Sequence, residues 1–163
     1  MSSFVKGKTG NSTTDKVYTP SGIAKEIIGK FDLSGKVLDP FKGKGAFYDN
    51  LPDDVEKDWC EIDDGKNFFD YEDKVDWIIS NPPYSIYKEV MEHSFEIADN
   101  IVYLIPLSKL VSSLGRIRKI QEYGGIPYIW ITGASRCGFA FGFPACAVWF
   151  KRGYEGDIRV EVV

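Results

Sequence analysis

Val75-Asp76-Trp77-Ile78-Ile79-Ser80, followed at once by Asn81-Pro82-Pro83-Tyr84, is the stretch on which the fold turns. The first six residues are largely apolar and β-branched or aromatic, the composition of a strand buried on both faces in the middle of a parallel sheet. Two consecutive prolines then stop it, because each fixes its own φ, lacks a backbone donor and restricts the residue before it. The result is a rigid turn at the carboxyl end of a central strand, where α/β sheets bind their ligands.

Working outward, Val37-Leu38-Asp39 predicts another buried strand. It runs into the glycine loop Pro40-Phe41-Lys42-Gly43-Lys44-Gly45, with a brief helix from Ala46 toward Asn50. Trp59-Cys60-Glu61-Ile62 predicts a further strand. Ahead of these, Ile23, Ile27, Ile28 and Phe31 share one helical face after Thr19-Pro20, with Ser21 placed to cap. Downstream the pattern predicts a helix over 86–98, a strand over 101–105, a helix over 108–123 and a strand over 126–132. Ala145 to Phe150 is expected to return antiparallel to that last strand, and Asp157 to Val162 alternates like an edge strand. Strands alternating with helices define a doubly wound, mostly parallel α/β sheet with a C-terminal antiparallel hairpin.

Residues 1–16 are rich in Ser, Thr, Gly and Lys without periodicity and are expected to form a flexible arm, leaving 17–163 as a single domain. The apolar and charged fractions, 44% and 27%, are those of a globular chain and exclude disordered, collagen-like and disulfide-scaffold classes. Three cysteines, Cys60, Cys137 and Cys146, occur without a CxxC pair, and His93 is the single histidine. No metal is expected, and a reducing, cytoplasmic setting is. The net charge of −4 is unevenly spread: +3 over 1–30, −11 over 31–100, +6 over 101–152 and −2 over 153–163. The basic second half makes Arg116, Arg118, Lys119 and Arg136 candidate phosphate contacts.

Three polar features fall at the carboxyl ends of the strands: Asp39 with its glycine loop, Glu61, and the Asn81-Pro82-Pro83-Tyr84 turn. The Asn81 side-chain oxygen and the Pro82 carbonyl are acceptors for a bound amino group. Hydrogen bonds to them localise the nitrogen lone pair and prepare it to attack an electrophilic methyl. Tyr84 is expected to stack on a planar base. A phosphate-binding loop is excluded, because Gly7-Lys8-Thr9 lacks the earlier glycine and the preceding strand that such a loop needs.

The tetrapeptide Asn81-Pro82-Pro83-Tyr84 resembles the signature of the amino-methyltransferases. Asp39-Pro40-Phe41-Lys42-Gly43-Lys44-Gly45 is similar to that family's first motif, with Lys42 and Lys44 departing from its usual composition. The resemblance implies a compacted, Rossmann-like class I fold and S-adenosyl-L-methionine as cofactor. It implies that Asp39, Pro40, Phe41, Gly43 and Gly45 cradle the cofactor, that Glu61 accepts from its ribose hydroxyls, and that Asn67-Phe68 or Asp70 meets its adenine. Tyr18-Thr19-Pro20 resembles the motif lying against the methionine end. Gly138-Phe139-Ala140-Phe141-Gly142-Phe143-Pro144 interleaves aromatics with glycines ahead of a strand; in relatives a residue near this hairpin sandwiches the target base, so the resemblance implies Phe141 or Phe143 as the partner of Tyr84. The implied activity is methylation of the adenine N6 amine in DNA by a small phage-type enzyme without a target-recognition domain. RNA, a protein glutamine, or a catalytically silent role beside a partner subunit stay open, as does a homodimer.

Overall fold

The computed structural model describes residues 18–163, so the expected N-terminal arm lies outside the described residues. Helix α1 (Ser21–Ile28) buries Ile23, Ala24, Ile27 and Ile28, the predicted face. Phe31 lies beyond its end, and Ser21 does not cap it. Pro20 occupies the cap position with its φ already set at −58°, and the Ser21 hydroxyl instead accepts from Asn50 Nδ2 at 3.0 Å.

Seven strands follow: β1 (Lys36–Asp39), β2 (Glu56–Trp59), β3 (Val75–Ser80), β4 (Ala98–Pro106), β5 (Gly124–Thr132), β6 (Ala145–Arg152) and β7 (Arg159–Val162). They form one sheet in the order β2-β1-β3-β4-β6-β5-β7. Strands β1 to β4 pair in parallel. Strand β6 runs antiparallel to both β4 and β5, the expected hairpin inserted beside the central strand. Strand β7 lies parallel to β5 at the edge.

Helices α2 (Tyr87–Ile97), α3 (Leu107–Val111) and α4 (Leu114–Tyr123) carry the remaining helical residues. The helix expected over 108–123 is split into the last two. Ser113 is extended, at φ −149° and ψ 128°, and its side chain accepts from the Arg116 N–H, so it starts a new helix. The brief helix expected after Ala46 is only a 3₁₀ turn, Tyr48–Asn50. Leu51 precedes Pro52 and is driven into the extended region, which stops propagation. Strand β2 ends at Trp59 rather than Ile62, because the Glu61 side chain accepts from Asp63 N–H and turns the chain. Between β2 and β3 there are only two 3₁₀ turns, Ile62–Asp64 and Phe68–Asp70, so β2 is an outer strand and the fold is compacted.

The core has two halves, one on each face of the sheet. On one side Ile78, Ile101, Tyr103, Ile105 and Val148 meet Val90 of α2 and Ile120 of α4. On the other, Ile79, Val102, Leu104 and Trp130 meet Ile23 and Ile27 of α1. Burying such aliphatic side chains contributes roughly 1.5–3 kcal/mol each. That rigid slab fixes where the strand ends stand. Among the described residues no helix is long and apolar enough to cross a membrane.

Candidate functional site

Strands β1 and β3 are neighbours, so the glycine loop after Asp39 and the proline turn after Ser80 emerge side by side. They are tied beneath the surface: the Ser80 hydroxyl donates to Asp39 Oδ1 at 2.6 Å, and the Phe41 N–H donates to the same oxygen at 3.3 Å. Asp39 is 1% exposed, and its Oδ2 has no hydrogen-bond partner among the described residues. Burial raises its carboxyl from an ordinary 3.8 to about 7, with the Ser80 bond opposing the shift.

Above this tie lies a cleft of about 930 Å³, its open mouth included. Of the residues singled out in the sequence, Tyr18, Thr19, Pro40, Phe41, Gly43, Glu61, Asn67, Phe68, Asn81 and Pro83 line it. Pro20, Asp39, Gly45, Asp70, Pro82 and Tyr84 are not among its lining residues. Of the two candidates for an adenine contact, Asn67 is therefore on the cleft and buried, whereas Asp70 is exposed. Lys42, Lys44, Phe47, Ile62, Asp63 and Phe69 line it as well. Their only sequence signal was adjacency to residues already chosen.

The glycine loop is shaped by two left-handed residues, Gly43 at φ +54° and Gly45 at φ +90°. A Cβ at Gly43 would meet the Tyr18 ring at 3.3 Å, so the loop and Tyr18 already close one side of the cleft. Glu61 staples the loop from the next strand. Its Oε1 accepts from Gly43 N–H at 2.9 Å and its Oε2 from Asp63 N–H at 3.0 Å. The two loop lysines are drawn onto aromatic rings, Lys42 over Trp59 at 4.3 Å and Lys44 over Tyr18 at 4.5 Å. Asn67 Oδ1 accepts from Phe69 N–H at 3.0 Å, and its buried Nδ2 has no hydrogen-bond partner among the described residues. His93, on α2, braces this wall: its Nε2 lies 2.7 Å from the Tyr71 carbonyl and its ring packs edge-on to Phe68 at 4.7 Å.

The Asn81 amide is held at both ends. Its Nδ2 donates to Thr19 Oγ1 at 3.1 Å, and its Oδ1 accepts from the Tyr84 hydroxyl at 2.8 Å. A carbonyl oxygen has two lone pairs, so among the described residues one acceptor position on Oδ1 is left. The Tyr84 hydroxyl turns inward, also reaching the Leu104 carbonyl at 3.4 Å. The Tyr84 residue is half-buried. The ring is wedged between both halves of the core, edge-on to Phe139 at 5.7 Å.

From Phe139 a ladder of stacked rings climbs outward, to Phe141 at 4.8 Å and on to Phe143 at 4.2 Å. Phe139, passed over in the sequence, is therefore the ring beside Tyr84, with Phe141 next and the exposed Phe143 outermost. Three of the four basic candidates lie on α4, and the fourth, Arg136, follows β5. Arg116 bonds Ser112, Lys119 pairs with Glu92, Arg136 pairs with Glu26, and Arg118 is exposed on α4.

No family model and no curated protein sequence matches this chain. Solved structures do. A protein of Listeria monocytogenes described as a class I S-adenosylmethionine-dependent methyltransferase superposes with a TM-score of 0.73 at 14% identity, over 96% of this chain and 68% of its own. A type I restriction-modification methyltransferase subunit of Streptococcus thermophilus gives 0.69 at 16%, over 98% of this chain and 50% of its own. The 23S rRNA methyltransferase ErmE gives 0.66 at 14%, over 86% and 72%. At such identities the likeness is one of fold: the chain has the Rossmann-like class I methyltransferase architecture.

Proposed function

We propose that this protein transfers a methyl group from S-adenosyl-L-methionine to the exocyclic N6 amine of adenine in DNA. The observation that carries the proposal is the Asn81 amide, oriented from both sides by Thr19 and Tyr84 on the wall of a cleft whose other residues suit that cofactor.

The fit rests on the donor set. Glu61 offers carboxylate lone pairs for ribose hydroxyls, and Ile62, Phe68 and Phe69 an apolar seat for a flat ring. The orphaned Asn67 Nδ2 offers a donor for a ring nitrogen. Gly43 lets a ligand approach the main chain. Around the cleft the carboxylates of Glu61 and Asp63 balance the charges of Lys42 and Lys44, so the fit rests on the donor and acceptor set rather than on net charge. Asp39 acts as a positioning residue that ties the loop to Ser80. Bound here, S-adenosylmethionine supplies an electrophilic methyl on a sulfonium.

The open lone pair of Asn81 Oδ1 accepts one N–H of the target amine and the Pro82 carbonyl accepts the other. Electron density is thereby kept on the nitrogen rather than spread into the ring. Such a base has to leave the duplex stack. The Phe139–Phe141–Phe143 ladder beside Tyr84 supplies aromatic faces to receive it, and Arg116, Arg118, Lys119 and Arg136 supply phosphate contacts. RNA is the second reading, favoured by the likeness to an rRNA methyltransferase. The restriction-modification neighbour is a subunit of which this chain spans half. Choice of target sequence is accordingly assigned to a partner or a further segment.

Incubation with methyl-labelled cofactor and mixed DNA, RNA and glutamine-containing peptide, then digestion, is the test. Label is expected on N6-methyldeoxyadenosine and lost in Asn81→Ala. Label on adenosine would move the substrate to RNA. Label on cytosine or glutamine overturns the assignment, and cofactor binding without turnover on any polymer favours a silent subunit.

A further inference from the structure

Strand β7 is the last strand of the sheet, so one of its two edges has no ladder partner among the described residues. Its side chains alternate strictly. Arg159 and Glu161 face the α1 side, where Glu161 accepts from Lys30 and from the Tyr128 hydroxyl, each at 3.0 Å, and Arg159 reaches Glu161 at 2.9 Å. Val160 and Val162 take the opposite face and are 53% and 72% exposed, and Ile158, just ahead of the strand, is 52% exposed. An exposed apolar row on an open edge is a template for another strand, which monomeric proteins normally blunt with charge, proline or a bulge.

The backbone points the same way. Val163 N–H donates to the Ile131 carbonyl at 3.0 Å, and Val160 and Val162 stand in parallel register with Ile129 and Ile131. In a parallel ladder alternate residues serve opposite edges. Residues 159, 161 and 163 therefore bond β5, which leaves the N–H and C=O of Val160 and Val162 aimed outward.

The sequence of this edge is complementary to itself. In an antiparallel pair related by a two-fold axis perpendicular to the sheet, opposed residues share a face, so one residue must face its own copy. With Val160 on the axis, Val160 exchanges both N–H···O bonds with Val160 of the copy, and Ile158 lies opposite Val162. Arg159 lies opposite Glu161 twice over. Axes at Arg159 or Glu161 would oppose like charges, which is destabilising. We infer that β7 is a self-association edge, joining two copies of this chain through antiparallel β7–β7 pairing centred on Val160. A strand pair of this length forms a small interface, so the dimer is reversible and concentration-dependent. The inference does not depend on the chemistry of the cleft.

Sedimentation of the full chain over a range of concentrations is expected to show a monomer–dimer equilibrium. Arg159→Glu and Glu161→Arg each place like charges opposite one another and weaken it by roughly tenfold or more. Mixing those two variants restores association, because only the mixed pair regains both charge matches. Independently, Val160→Cys is expected to form a disulfide-linked dimer on mild oxidation, since Cα atoms in a hydrogen-bonded pair lie about 5.5 Å apart. Val162→Cys alone is not, whereas Val162→Cys mixed with Ile158→Cys is. The native cysteines are buried and do not interfere. Thermal melts and cofactor binding check that each variant is folded. A monomer at every concentration, failure of the mixed charge variants to associate, or cross-linking equally efficient at 160 and 162 would overturn the inference.

Discussion

Two loops leave adjacent parallel strands at the same end of the sheet, and they are built in opposite ways. The loop after β1 bends through Gly43 and Gly45 in left-handed conformations and is held from outside, by the Glu61 carboxylate and the Tyr18 ring. The turn after β3 is stiffened from within by Pro82 and Pro83, and its one amide is clamped by Thr19 and Tyr84. The first arrangement makes room for a ligand. The second fixes an acceptor in advance, which under the proposed function removes the need for reorganisation when charge develops. The Ser80–Asp39 bond keeps the two in register.

If that division of labour is right, the loops should fail differently. Asn81→Ala is expected to lower methyl transfer by a factor of about 10²–10³ or more while the cofactor dissociation constant moves only a few-fold, measured by single-turnover kinetics and calorimetry. An equal collapse of cofactor binding would break the contrast. Gly43→Val, which forces a β-branched residue into φ +54° against the Tyr18 ring, should do the reverse. Cofactor affinity should fall roughly tenfold or more, with most of the rate recovered at saturation.

Asp39→Asn tests the tie between the loops. Because the folded-state pKa of Asp39 is raised to about 7 from 3.8, the folded chain holds a proton that the unfolded chain has lost. Native stability contributed by this group is therefore present below pH 4 and lost as pH rises toward 7, with a slope of up to about 1.4 kcal/mol per pH unit. Urea unfolding at several pH values should show that slope in the native chain and a flatter profile in Asp39→Asn. Tyr84→Phe is the mildest change. It removes one donor to Asn81 Oδ1, worth about 1 kcal/mol, and should slow transfer several-fold with the melting temperature little changed.

Most of the scaffold was legible in the sequence, since buried parallel strands are continuous apolar runs and Val37-Leu38-Asp39 and Val75 to Ser80 read as such. The proline turn was legible because its backbone chemistry is local. What escaped depends on contacts across the sheet. Nothing near Tyr84 says that its hydroxyl will reach Asn81 and Leu104. Nothing near Glu61 says that it will bond Gly43, 18 residues away. The choice between Asn67 and Asp70 was open because both lie in a short segment without periodicity; only the packing of Phe68 against His93 and Phe41 decides which one turns inward. The helix break at Ser113 was written in the sequence as an N-cap but masked by apolar spacing on either side.

The bond from Thr19 to Asn81 joins positions 62 residues apart, and Thr19 stands ahead of every helix and strand described. A chain trimmed to begin at Ser21 would keep every strand of the sheet, but its Asn81 amide would be held by the Tyr84 hydroxyl alone.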